Sequence, residues 1–143
     1  MARPTWDRYF MKLARVVAER GTCDRKQVGC VIVARDKTVL ATGYNGSLKG
    51  TPHCDDAGHL IVDNHCVRTV HAETNAVSQA ARRGTSLGGS IAYVTCAPCP
   101  NCFKVLVSAG VERVVYGEPY RNERLFDEAA EAGIQVEELK EEP

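Results

Sequence analysis

Apolar residues recur along this chain with two alternating periods. From Thr5 to Arg20, residues Trp6, Phe10, Leu13, Val16 and Val17 fall at helical spacing, which predicts a helix with one apolar stripe. Gly21 suits the position just beyond its end. Val28 to Val33 is a short apolar run of strand type. Asp36-Lys37 supplies a turn, and Thr38 to Tyr44 reads as a second strand, so the two strands should pair as a hairpin. From Asn45 to Arg68 no period is visible, and Gly, Pro, His, Cys and Asp dominate. A segment of that length without period is usually functional, or is held by something other than a core.

The helical period then returns. His71 to Arg83 predicts a helix ended by Gly84, Ile91 to Thr95 a strand, and Cys99 to Ala109 a helix ended by Gly110. Val111 to Tyr116 predicts a strand, Glu123 to Ala132 a helix, and Ile134 to Glu138 a last strand, followed by a charged tail. Strand–helix alternation in the second half predicts parallel strands joined by right-handed crossovers. The expected architecture is a three-layer α/β/α domain spanning residues 1–143, with 45–68 as an insertion within it.

Composition narrows the function. Eighteen basic and eighteen acidic residues cancel, so no net positive field points to nucleic acid as a partner. No apolar run approaches the roughly 18 residues expected of a membrane helix. The N-terminal stretch MARPTWDRYF lacks the apolar segment of a secretory signal. Seven cysteines, an odd number, read as metal ligands or buried thiols in a reducing cytoplasm, not as a disulfide framework.

The chemistry is concentrated in two segments. His71-Ala72-Glu73 opens one predicted helix, and Pro98-Cys99-Pro100-Asn101-Cys102 opens another. One imidazole and two thiols are three good ligands for Zn²⁺, and three protein ligands leave a fourth tetrahedral position open for water. Zinc there would lower the pKa of a bound water to about 7. Glu73, two residues past the histidine, is placed to move protons. The chemistry that fits is hydrolytic attack on an amino-bearing carbon of a heteroaromatic ring. Each half alone is weaker: a lone Cys-x-x-Cys also serves zinc knuckles and redox pairs, and Cys96, Cys99 and Cys102 begin an iron–sulfur-like run that lacks its last cysteine.

His-x-Glu followed by Pro-Cys-x-x-Cys is the general signature of zinc deaminases. Gly43-Tyr44-Asn45-Gly46 ahead of a Cys/His-rich insertion, then Cys66 to Glu73, makes the chain resemble the deoxycytidylate (dCMP) deaminases, from about Tyr9 to Val136. The resemblance implies a cytidine deaminase-like fold with a central mixed five-stranded sheet. It implies His71, Cys99 and Cys102 as ligands of the catalytic zinc and Glu73 as proton shuttle. It implies conversion of dCMP to dUMP and ammonia, and a homohexamer activated by dCTP with Mg²⁺ and inhibited by dTTP. Candidate contacts to the nucleotide or effector are Tyr44, Asn45, Gly46, Arg25, Lys26, Arg68 and Tyr120. Solvated surface, for the cations, and turn chemistry, for Asn45, account for those residues as well.

The remaining cysteines cluster. Cys23, Cys54, His59 and Cys66 form a candidate closed structural zinc site, with His53 or His65 as alternates to His59. Such a site would order a loop poor in apolar residues. Free thiols and surface histidines are the competing reading. Cys30, inside an apolar run, reads as a buried thiol. Two other functions stay open from sequence: a deaminase for cytosine, cytidine, dCTP or tRNA adenosine, and a zinc-stabilised binding module without catalysis.

Overall fold

A computed structural model describes residues 2–23, 26–62, 65–66, 68–120 and 122–140, without the side chains of Asp55, His65 and Cys66. The helix α1 (Trp6–Ala18) starts at Thr5, whose hydroxyl accepts the Arg8 N–H at 3.2 Å. Strands β1 (Gly29–Val33) and β2 (Val39–Tyr44) form the expected antiparallel hairpin. Helix α3 (Ala72–Arg83), strand β7 (Ser90–Cys96), helix α4 (Pro100–Ala109), strand β8 (Val111–Glu118), helix α5 (Leu125–Ala132) and strand β9 (Gln135–Glu138) complete the framework.

The main sheet has the order β2-β1-β7-β8-β9. β1 runs antiparallel to both β2 and β7, while β7, β8 and β9 are mutually parallel. This mixed five-stranded sheet matches the expectation. Because side chains alternate across a strand, its two faces feed two cores. Val31, Val33, Tyr93 and Val115 pack with Phe10, Met11 and Ala14 of α1. Cys30, Ile32, Ala92, Val94 and Val114 pack with Ala76 and Ala80 of α3, Phe103 and Leu106 of α4, and Leu125 and Ala129 of α5. The result is three layers, with α1 on one side and α3, α4 and α5 on the other. No helix among the described residues is long and apolar enough to cross a membrane.

Two expectations need correcting. Gly21 does not terminate α1: the helix ends at Ala18 with Glu19 as its C-cap, and the Arg20 and Gly21 N–H groups bond the Val17 and Ala18 carbonyls. Gly21 instead leaves room for Asn45, because a Cβ there would stand 2.6 Å from Asn45 Oδ1. The segment after Asn45 is also not structureless. It contains β3 (Gly46–Ser47), one turn of helix α2 (Cys54–Ala57), β4 (Ile61–Val62), β5 (His65–Cys66) and β6 (Thr69–Val70). β3 pairs with β6 and β4 with β5, both antiparallel. Elements of two residues carry too few alternating positions to leave a period in the sequence.

Candidate active site

Each ligand segment occupies the start of a helix. His71 is the N-cap of α3, and Cys99 is the N-cap of α4, with Pro100 at the first helical position. The Cys99 sulfur accepts the backbone N–H of Cys102 at 3.5 Å, so the thiol does the work that a serine hydroxyl does at ordinary helix starts. Cys102 then lies one turn in, on the same side.

The two helix starts converge. His71 Nδ1 is 3.2 Å from Cys102 Sγ and 3.6 Å from Cys99 Sγ. The three donor atoms all lie within 4.8 Å of one another. Tetrahedral zinc, with bonds of about 2.3 Å to sulfur and about 2.0–2.1 Å to nitrogen, sets N–S separations near 3.6 Å. The donor set and its spacing therefore fit that ion. Cys102 is buried, Cys99 partly so, and His71 is exposed, which opens the centre to one side. Thr74 Oγ1 stands 3.9 Å from Cys102 Sγ.

Glu73 is only 5% exposed, in the first turn of α3. Burial pushes its carboxyl up to about 7, against the pull of the nearby His71 charge. A carboxyl poised near neutrality can both take and give a proton. Cys99 is shifted the other way, to about 4, by its hydrogen bond with Cys102 and then by His71, despite partial burial. Its partner Cys102 is shifted up, first through that same shared bond and then by burial. His71 is raised chiefly by its bond to Cys99.

The position of α3 is fixed by its contact with edge strand β2. Gly43 makes the approach possible: a Cβ there would stand 2.3 Å from the Ala72 carbonyl oxygen and 2.4 Å from the Ala76 nitrogen. Gln79 Oε1 then accepts the Thr42 N–H at 2.9 Å, and Asn75 Nδ2 donates to the Tyr44 carbonyl at 2.8 Å. One helix thus satisfies two outward polar groups, the Thr42 N–H and the Tyr44 carbonyl, of an edge strand.

Asn45 is 7% exposed, and its carboxamide is engaged with backbone. Oδ1 accepts the Val28 N–H at 2.8 Å and Nδ2 donates to the Lys26 carbonyl at 2.6 Å. One Nδ2 hydrogen is left over from these two bonds. Lys26 Nζ lies 3.7 Å from Glu118 Oε2, at the end of β8. Tyr44 and Tyr120 are exposed, and Gly46 pairs with Val70. Arg68 Nε donates to the Gly58 carbonyl at 2.9 Å, within the insertion. Arg25 lies outside the described residues.

The second cluster also assembles. Cys23, at the end of the α1 connection, meets Cys54 and His59, with Cys23 Sγ 3.4 Å from His59 Nδ1. His59, not His53, joins the described cluster. His53 Nδ1 is buried without a hydrogen-bond partner among the described residues. The side chains of His65 and Cys66 lie outside the described set.

Sequence reasoning missed Thr74, Asn75, Gln79 and Asn122. Asn122 Nδ2 donates to the Pro98 carbonyl at 3.2 Å and ties the Tyr120 loop to the cysteine segment. Asn75 and Gln79 carried one usable signal: two amides four residues apart, on a helix whose other face is alanine.

Comparison with known proteins identifies the family. Residues 4–118 match the family described as "Cytidine and deoxycytidylate deaminase zinc-binding region". ComE operon protein 2 of Bacillus subtilis (strain 168) is 44% identical over 141 residues, covering 98% of this chain and 74% of that protein. The deoxycytidylate deaminase of Saccharomyces cerevisiae (strain ATCC 204508 / S288c) is 39% identical over 145 residues, covering 95% of this chain but only 45% of the yeast enzyme. The crystal structure of dCMP deaminase from cyanophage S-TIM5 in complex with dCMP and dUMP superimposes with a TM-score of 0.83 at 30% identity, covering 97% of this chain and 100% of that one. With residues 4–118 matched and a donor set fit for zinc at its centre, the chain belongs to the cytidine and deoxycytidylate deaminase family.

Proposed function

We propose that this enzyme hydrolyses dCMP to dUMP and ammonia. The observation that carries the reading is the convergence of His71, Cys99 and Cys102 beside the buried Glu73, on the framework shared with the cyanophage dCMP deaminase. Zinc held by those three residues would supply Lewis-acid activation of the attacking water. The chain's own work is proton transfer. Glu73 accepts a proton as water oxygen bonds to C4 of cytosine. It delivers that proton to ring N3, then takes the proton of the newly formed C4 hydroxyl and passes it to the departing amino group. The C4–N bond breaks, ammonia leaves, and a carbonyl remains.

The 5′-phosphate is assigned to cationic side chains at the α1–β1 connection, Lys26 and Arg25, with Asn45 holding that connection in place. Tyr44, Asn45, Gly46, Arg68 and Tyr120 remain candidates for the nucleotide or an effector. Cys23, Cys54 and His59, with Cys66 as fourth ligand, are proposed to hold a second, structural zinc. A homohexamer, control by dCTP–Mg²⁺ and dTTP, and a cytoplasmic location belong to the same reading through the resemblance.

The test measures ammonia release from dCMP, deoxycytidine, cytidine, dCTP, cytosine and a tRNA anticodon stem-loop, with and without dCTP–Mg²⁺ or dTTP. The expected result is the highest kcat/KM for dCMP. A higher value for any other substrate overturns the substrate assignment, and no release from any of them returns the chain to a binding module.

A further inference from the structure

We propose that Asn75 is a positioning residue that couples the metal ligand His71 to the substrate-side corner at Tyr44-Asn45. The inference rests on His71 being a zinc ligand. Asn75 lies one turn after His71 on α3. Its Nδ2 donates to two carbonyls from different segments: Tyr44, at the end of β2, at 2.8 Å, and Val70, the residue before His71, at 3.3 Å. Its backbone N–H bonds the His71 carbonyl at 2.9 Å. Both peptide units flanking the His71 Cα are therefore held by one residue, which fixes the direction in which the His71 Cα–Cβ bond leaves the backbone toward Cys99 and Cys102.

The other end of the link carries the substrate side. Tyr44 precedes Asn45, whose carboxamide fixes the backbone of Lys26 and Val28. The short pairing of Gly46 with Val70 and Ser47 with Thr69 runs beside the Asn75 bridge. A shift at the Lys26–Asn45 corner thus reaches the peptide before His71 through one amide nitrogen. Only a group with two N–H donors serves both carbonyls. An aspartate would set its oxygens against them, and an alanine would leave both without this partner.

Gln79 supplies an internal control. It sits one turn further along the same helix and also satisfies β2, but its bond goes to Thr42 N–H, which adjoins none of the candidate ligands. A purely structural role for such amides predicts the same behaviour for both. Zinc affinity is measured by competition with a chromophoric chelator for wild type, His71→Ala, Asn75→Ala, Asn75→Ser, Asn75→Asp and Gln79→Ala, alongside thermal melts and KM for dCMP. Loss of supporting partners around metal ligands typically lowers affinity by about 10- to 100-fold, and that is expected for Asn75→Ala and Asn75→Asp, with a raised KM. Gln79→Ala should lower the melting temperature alone. Asn75→Ser, which keeps one donor, should fall between wild type and Asn75→Ala, and it carries the test if the alanine variant does not fold. Wild-type zinc affinity and KM in the folded Asn75 variants would overturn the proposal while leaving the site reading intact. Unchanged zinc affinity in His71→Ala would overturn the site reading itself, and this inference with it.

Discussion

The α-carbon of Gly43 faces the backbone of Ala76 so closely that an added Cβ would lie 2.4 Å from its nitrogen. No side-chain rotation relieves such a clash, because both neighbours are main chain. Gly43→Ala must push α3 away from β2 and carry His71 and Glu73 with it. Overpacking of this kind costs about 1–3 kcal/mol. Urea unfolding should show that loss, and zinc bound per chain should fall with it.

Glu73 is buried beside the donor set without belonging to it. Glu73→Gln keeps the shape and removes the proton carrier. Ammonia release from dCMP should drop by at least about a hundredfold, the scale of general acid–base catalysis. Zinc content and the circular dichroism spectrum should stay at wild-type values.

Metal analysis separates the two clusters. Purified protein should contain two zinc ions per chain if Cys23, Cys54 and His59 hold one as His71, Cys99 and Cys102 do. Cys54→Ser should lose one ion, keep the other, and retain measurable turnover. One ion per chain in the wild type would remove the second site.

Asp7 joins α1 to the sheet. It accepts Tyr93 Oη at 2.7 Å and a two-pronged contact from Arg113, at 3.0 and 2.8 Å. Arg113 first of all holds the Asp7 carboxyl below its ordinary 3.8. A lowered carboxyl stabilises the fold above its ordinary value, and that contribution is lost as pH falls through the folded value. Asp7→Asn should therefore cost about 1.5–3 kcal/mol at neutral pH, the scale of hydrogen bonds to charged groups. The gap to wild type should close as pH is lowered through the acidic range below 4, read from denaturant midpoints across pH.

Much of this molecule was legible in its sequence because the governing signals are local. The stripe on α1, the β1–β2 hairpin and the strand–helix alternation all follow from apolar spacing over a few residues. His71 and Cys99 could be placed at helix starts for the same reason. The short strands within residues 45–68 escaped because two-residue pairings leave no period, whereas the meeting of Cys23 with Cys54 and His59 was expected from their residue types and is found. Asn75 and Gln79 escaped because an amide's partner is a backbone group on another strand, and no spacing rule names it. The hold of the Asn45 amide on the Lys26–Val28 connection escaped for the same reason, and its reading as a nucleotide contact stays a proposal beside it.

The helix starts at His71 and Cys99 set stability against chemistry. Serine, aspartate and asparagine are the side chains that best close a helix start, whereas His71 makes no capping bond at all. A substitution that improved the local fold of α3 at that position would remove an imidazole from the proposed metal centre. Selection for robustness alone would thus erode the site from its own scaffold. The chain tolerates a weaker helix end where the reaction needs a ligand, and compensates one turn later with the amides that pin α3 to β2.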